Sequence, residues 1–302
     1  MKENIREITV HSSLDNSPQP SLLFMPETEK SIPLVVGLHT WSYDRFNKVN
    51  DYLPFCKKYG WALLLPEFRG PNLRSNPHGR EACGSELAQQ DILDALDHVL
   101  KTERIAPGRV FLLGASGGGH AALLTAVRSP DRWRGIAVWC PVSDLTEWHT
   151  FFGRGNSYAA ELEHCLGGSP DELPEQYRKR SPVNYAKTLS RLPLSIHQGR
   201  HDDIIPWKMT HRLYEEIEHF SPEHCYYDLF DGGRIDPRGP ATGVANGMRK
   251  RPPATEGRFP ALWTECDGED RIEGGAACGV RGRRAGGAAL RNMAARGDLP
   301  PG

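Results

Sequence analysis

Residues 110–127 read V-F-L-L-G-A-S-G-G-G-H-A-A-L-L-T-A-V: an apolar run enters Gly114-Ala115-Ser116-Gly117-Gly118 and a small-residue helical stretch leaves it. G-x-S-x-G between a strand and a helix sets the serine on a tight, strained turn. The flanking glycines let strand and helix approach closely, and the hydroxyl projects at the helix N-terminus. There the Gly117 N–H and the helix dipole face the oxyanion of an acyl-transfer reaction. Ser116 is therefore the candidate nucleophile. A second oxyanion donor is expected from the loop 37–42, G-L-H-T-W-S, which follows the apolar run at 33–36, with the backbone of Thr40 or Trp41 as the source. His39 in that loop is expected to be structural. His120, one turn into the helix, packs or lines a pocket wall.

A serine hydroxyl is inert at neutral pH unless a histidine takes its proton and a carboxylate orients the histidine. On this kind of scaffold the chain order is serine, acid, histidine. The acid falls in L-S-I-H-Q-G-R-H-D-D-I-I-P at 194–206, where a strand ends at a glycine and Asp202 follows. The adjacent Asp203 suits a helix cap better.

The elements that must hold these groups follow a strand–helix rhythm from residue 33 to about 230. Strands are expected at 34–38, 61–65, 110–113, 135–139, 194–197 and 225–230, and helices around 46–58, 86–102, 117–127 and 206–220. The central strands are almost continuously apolar, as strands covered on both faces are. Segments 5–10 and 21–25 form a leading hairpin. The expected architecture is α/β, an α/β-hydrolase fold with a mostly parallel central sheet of about eight strands and helices on both faces. Residues 143–190 break the rhythm and are expected as an insertion over the active-site end. Their Trp148 and Phe151 are candidate pocket residues alongside His120, with packing of the insertion as the equal alternative for the two aromatics.

Bulk properties narrow the partners. The chain has 302 residues and a formal net charge of −1, with no basic stripe for nucleic acid and no apolar run long enough for a bilayer. Its seven cysteines (Cys56, Cys83, Cys140, Cys165, Cys225, Cys266 and Cys278) are scattered and lack a C-x-x-C pair. This fits reduced structural thiols and a cytoplasmic location, with no cofactor, no metal site and no disulfide framework. The composition does not specify an oligomeric state.

Several stretches, in order, resemble the catalytic domain of the prolyl oligopeptidase family of serine peptidases and related esterases. They are P-L-V-V-G-L-H at 33–39, F-R-G at 68–70, the G-A-S-G-G-G elbow, W-C-P-V-S-D-L at 139–145, L-G-G-S-P-D-E-L-P-E-Q-Y-R-K-R-S-P-V-N-Y-A at 166–186, and H-Q-G-R-H-D-D-I-I-P at 197–206. The resemblance covers about residues 5–233. It implies hydrolysis of peptide, amide or ester bonds in small substrates through an acyl-enzyme, and its aspartate-loop spacing selects Asp202. The start of the chain leaves no room for the family's N-terminal propeller, so its size filter is not carried over.

At one place the chain departs from the family. After the last strand the resemblance implies D-G-G-H and a final amphipathic helix; this sequence has Asp231-Gly232-Gly233-Arg234 and then a tail dominated by Gly, Ala, Arg and Pro. No histidine follows His224. Arginine stays protonated and cannot act as the base. Residues 1–233 are thus expected as the catalytic domain and 234–302 as a disordered tail. Motif and periodicity are lost at one point, as a reading-frame shift would produce. Low or no activity is expected of the chain as written, and a catalytically inactive binding protein is the alternative.

Overall fold

The computed structural model describes residues 5–153 and 155–233. Eight strands form one sheet: β1 (Ile5–His11), β2 (Pro18–Phe24), β3 (Ile32–Leu38), β4 (Ala62–Pro66), β5 (Ile105–Ala115), β6 (Gly135–Trp139), β7 (Leu194–His201) and β8 (Cys225–Gly233). Their spatial order is β1-β2-β4-β3-β5-β6-β7-β8. The β1–β2 and β2–β4 pairs are antiparallel, and every pair from β4 onward is parallel. This is the expected α/β-hydrolase architecture, with its leading hairpin at one edge.

Eight α-helices are described: α1 (Val49–Tyr59), α2 (Glu86–Thr102), α3 (Gly117–Arg128), α4 (Leu145–Phe152), α5 (Ser157–Leu166), α6 (Pro174–Lys179), α7 (Ala186–Leu189) and α8 (Trp207–Glu218). The sheet separates two apolar clusters. On one side Leu34, Val36, Leu112, Ile136, Val138, Leu194 and Ile196 meet the buried stripes of α2, α3 and α8; on the other Val35, Leu63, Leu65, Leu113 and Trp139 cluster with Leu53 and Cys56 of α1 and with Trp148 of α4. The alternation of sides along β3 explains its apolar run, because both faces are covered.

Two differences from the sequence expectation have local causes. Helix α1 starts at Val49, three residues later than expected, because 44–48 is spent on turns closed by Asp44 and Phe46 carbonyls. Among its described residues the segment 143–190 carries four short helices and no strand; the first two are started by side-chain caps, Asp144 Oδ1 accepting from Thr146 and Glu147 N–H, and Asn156 Oδ1 from Tyr158 N–H. Arg234 and the expected tail at 234–302 lie outside the described residues.

The parallel strands β3, β5, β7 and β8 send their carboxyl ends to the same edge of the sheet. The loop at 39–42, the turn at Ser116, Asp202 and the end of β8 therefore converge by topology, as ligand sites on open parallel sheets do.

Candidate active site

Ser116 links β5 directly to α3 with φ +53° and ψ −122°. A non-glycine residue in that region is strained, and the surrounding packing must impose it. It does so through glycines. A Cβ on Gly114 would overlap the Gly118 carbonyl, and one on Gly118 would lie 2.6 Å from both the Leu38 and His39 carbonyl oxygens. From Val110 to Ala126 every residue is buried except Ser116. The Ser116 N–H is donated to the Trp139 carbonyl (2.9 Å), and its own carbonyl accepts the His120 N–H (3.0 Å), starting α3. The turn thus leaves one partly exposed hydroxyl at the positive end of a 12-residue helix.

In the facing loop Thr40 and Trp41 have different surroundings. The Thr40 N–H is already donated to Asn47 Oδ1 at 3.1 Å. The Trp41 backbone N lies 2.7 Å from where a Cβ on Gly117 would stand, so the Trp41 and Gly117 amides are neighbours. The loop is held from several sides. Trp41 O accepts the Asn72 N–H at 2.8 Å, Trp41 Nε1 donates to Glu161 Oε2 at 2.8 Å, and the indole packs edge-on against Trp148 with ring centres 4.7 Å apart. His39 is buried, stacked on Phe68 at 3.9 Å, with its ring nitrogens 3.0 and 2.8 Å from the Thr40 and Glu67 carbonyl oxygens. Burial lowers its pKa. This is the structural role expected of it.

Asp202 follows β7 and is 9% exposed. Its Oδ1 accepts the Ile204 and Ile205 N–H groups, each at 2.9 Å, and the Cys140 thiol also hydrogen-bonds to the carboxylate. Burial raises its pKa against these donors. Gln198 Nε2 donates to the Ile205 carbonyl and Trp148 Nε1 to the Ile204 carbonyl, fixing the loop that carries the acid. Asp203 is exposed.

The pocket expectation needs correction. His120 and Trp148 are fully buried and offer no surface to a substrate. His120 Nε2 lies 2.7 Å from the Arg180 carbonyl, its Nδ1 has no partner among the described residues, and burial lowers its pKa to about 4. Trp148 packs against Trp41, Phe152 and Tyr158. Among the three, only Phe151 is exposed, at 50%. An aromatic stripe announces burial as readily as a pocket, and here it is the wall's interior.

Two groups of residues escaped the sequence reading. One supports the loop at 66–85: Arg69 (φ +76°) is buried, with Nε 2.6 Å from Asp91 Oδ2 and Nη1 2.7 Å from both Asp15 and Glu81. This fixes the turn from which Asn72 reaches Trp41. Its only sequence trace was the F-R-G motif. The other is Glu161, whose contact with Trp41 spans 120 residues and leaves no local trace. A second serine–histidine–carboxylate line also exists, with Ser195 Oγ 2.8 Å from His197 Nε2 and His197 Nδ1 3.5 Å from Asp228 Oδ2. Ser195 is buried near the start of β7 between β6 and β8, where strand pairing takes up the N–H groups an oxyanion would need. Among the described residues no group of three or more His, Cys, Asp or Glu could hold a metal ion.

The expected histidine position, 234, lies outside the described residues. Its neighbour Gly233 pairs with His201, the residue before Asp202, so β8 ends beside the acid loop.

The family model of the prolyl oligopeptidase family matches residues 54–226, which include the elbow and the acid loop. The chain belongs to the prolyl oligopeptidase family. Among curated relatives of this family member, Uncharacterized peptidase YtmA of Bacillus subtilis is 24% identical over 173 residues, covering 57% of this chain and 64% of the relative. Acylamino-acid-releasing enzyme of Sus scrofa is 27% identical over 205 residues, 62% of this chain and 26% of the relative. The chain thus spans less than two thirds of the first of these and about a quarter of the second. Among solved structures, Pyrococcus horikoshii acylaminoacyl peptidase superposes with a TM-score of 0.66 at 19% identity, over 90% of this chain and 43% of that one, a shared fold. No helix among the described residues is long and apolar enough to cross a membrane.

Proposed function

We propose that this family member is built as a serine peptidase for short peptides and related small amides or esters, with Ser116 as nucleophile and Asp202 as the acid that orients a histidine. The observation that carries this reading is the Ser116 turn. A strained serine stands alone in exposure at a helix N-terminus, with the Trp41 amide beside the Gly117 amide. Attack by Ser116 Oγ on a carbonyl carbon would move charge onto the carbonyl oxygen, and the two N–H groups are placed to receive it. The base should come from position 234, where this chain has arginine. Losing the histidine of such a triad removes most of the rate and leaves roughly 10³–10⁴-fold over water from the remaining site. Residues 1–233 form the catalytic domain in this reading, with 143–190 as its insertion, and peptide substrates are favoured by the peptidase names of its relatives. A cytoplasmic location fits the buried free thiols.

The arginine supports a second reading, a binding protein that keeps the pocket without the chemistry. Hydrolysis of a p-nitrophenyl ester and of an N-acyl dipeptide p-nitroanilide by the chain and by its Arg234→His variant separates the two. The peptidase reading expects slow turnover that the variant raises at least tenfold; identical background rates in both favour the binding protein.

A further inference from the structure

The helices α4 and α5 stand between the two halves of the candidate site and touch both. From α4, the buried Trp148 donates its indole N–H to the Ile204 carbonyl (2.9 Å), within the loop whose N–H groups hold Asp202. The same indole packs edge-on against Trp41, whose backbone N–H adjoins Gly117. From α5, Glu161 Oε2 accepts the Trp41 indole N–H at 2.8 Å. We infer that Glu161 is a positioning residue: by anchoring the Trp41 indole against Trp148, it fixes the separation between the oxyanion loop and the acid loop. The inference rests on reading Trp41 as an oxyanion donor.

What makes Glu161 more than incidental packing is its charge. The carboxylate is half buried, burial raises its pKa, and only the Trp41 indole N–H opposes that rise. The hydrogen bond it accepts comes from a neutral donor, the Trp41 indole. A half-buried carboxylate gives up part of its hydration, a cost that a glutamine or an apolar side chain there would spare. The gain is a charge-assisted bond, shorter and stronger than a neutral one, on the one side chain of the oxyanion loop that reaches the insertion. The other hydrogen bonds of the loop, Thr40 to Asn47 and Trp41 O to Asn72, hold its backbone; the buried indole rests on Trp148 and His120, and Glu161 is the partner that fixes its N–H end.

The test uses the full chain labelled with ¹⁵N-tryptophan, with the Trp41 signals identified by their loss in Trp41→Phe. In Glu161→Ala the Trp41 indole and backbone amide resonances both shift, signals of the other tryptophans away from Trp148 stay in place, and Ser116-dependent ester turnover falls on the order of tenfold. Glu161→Gln, which keeps an acceptor oxygen but loses the charge, restores the backbone amide shift and the turnover only in part. An indole shift with an unmoved Trp41 backbone amide overturns the inference, as does Glu161→Ala turnover equal to the parent's. If ester turnover proves independent of Ser116, the nucleophile reading fails, and the backbone amide of Trp41 still decides whether Glu161 positions the loop.

Discussion

Residue 117 has no side chain, and the geometry requires that. A Cβ there would stand 2.7 Å from the Trp41 N and Cα, which are backbone atoms that cannot rotate aside. Gly117→Ala must push the oxyanion loop away from the helix N-terminus. Turnover that depends on Ser116 is expected to fall about 10²-fold, with a stability loss of about 1–3 kcal/mol from overpacking. Steady-state ester hydrolysis and urea unfolding check the two effects, and unchanged turnover would place the donor elsewhere. At this scale the sequence was most legible where the chemistry is local. Ser116 and its glycines lie within five residues, and Asp202 follows its glycine closely. Between Thr40 and Trp41 residue type offers no choice; the Thr40 N–H bond to Asn47 Oδ1 is a contact across seven residues that no local pattern displays. For Trp148 and His120 the sequence left packing and pocket lining open, because residue type gives no direction; both are fully buried.

At the scale of elements, the strands were legible because a strand covered on both faces must be apolar throughout, and β3, β4 and β6 are. The four helices of 143–190 were not, since α6 and α7 have six and four residues, too few to display a helical period. The loop between β4 and α2 depends on an ion cluster instead of an apolar stripe. Arg69 is 1% exposed and Asp91 0% at their side chains, so the pair is fully desolvated. Arg69→Met leaves the Asp91 carboxylate buried without its cation and should cost about 3–5 kcal/mol. In Asp91→Leu/Arg69→Met no buried charge is left unpaired, and much of that loss should return. Denaturant midpoints of the single and double variants measure this. Strictly additive losses would show that the pair does not act as a unit.

For the whole molecule, buried imidazoles set the response to acid. Below about pH 6.5 unfolded histidines take up protons, whereas burial holds the His120 pKa at about 4 in the fold and lowers that of His39. The unfolded chain therefore binds more protons across this window. The His120 contribution, on the order of 3 kcal/mol, is present above about pH 6.5 and lost as pH falls toward 4. Raised carboxyl pKa values at Asp91 and Asp202 act in the opposite sense, favouring the fold as pH falls through the range just above ordinary carboxylates. His120→Gln should flatten the decline in urea midpoint between pH 7 and pH 5; an unchanged decline would exclude His120 as its source. The α/β-hydrolase fold and the family were legible at this scale because strand order and motif order coincide along the chain. The sequence alone also carries the departure at Arg234, where the resemblance implies a histidine; that position lies outside the described residues. The central claim, that Ser116 is a nucleophile on an intact elbow, is tested most directly by peptide mass mapping after incubation with an activated acyl ester. The expected result is an acyl adduct on Ser116, slow to form and missing in Ser116→Ala. Acylation elsewhere, or turnover undiminished in Ser116→Ala, would contradict it.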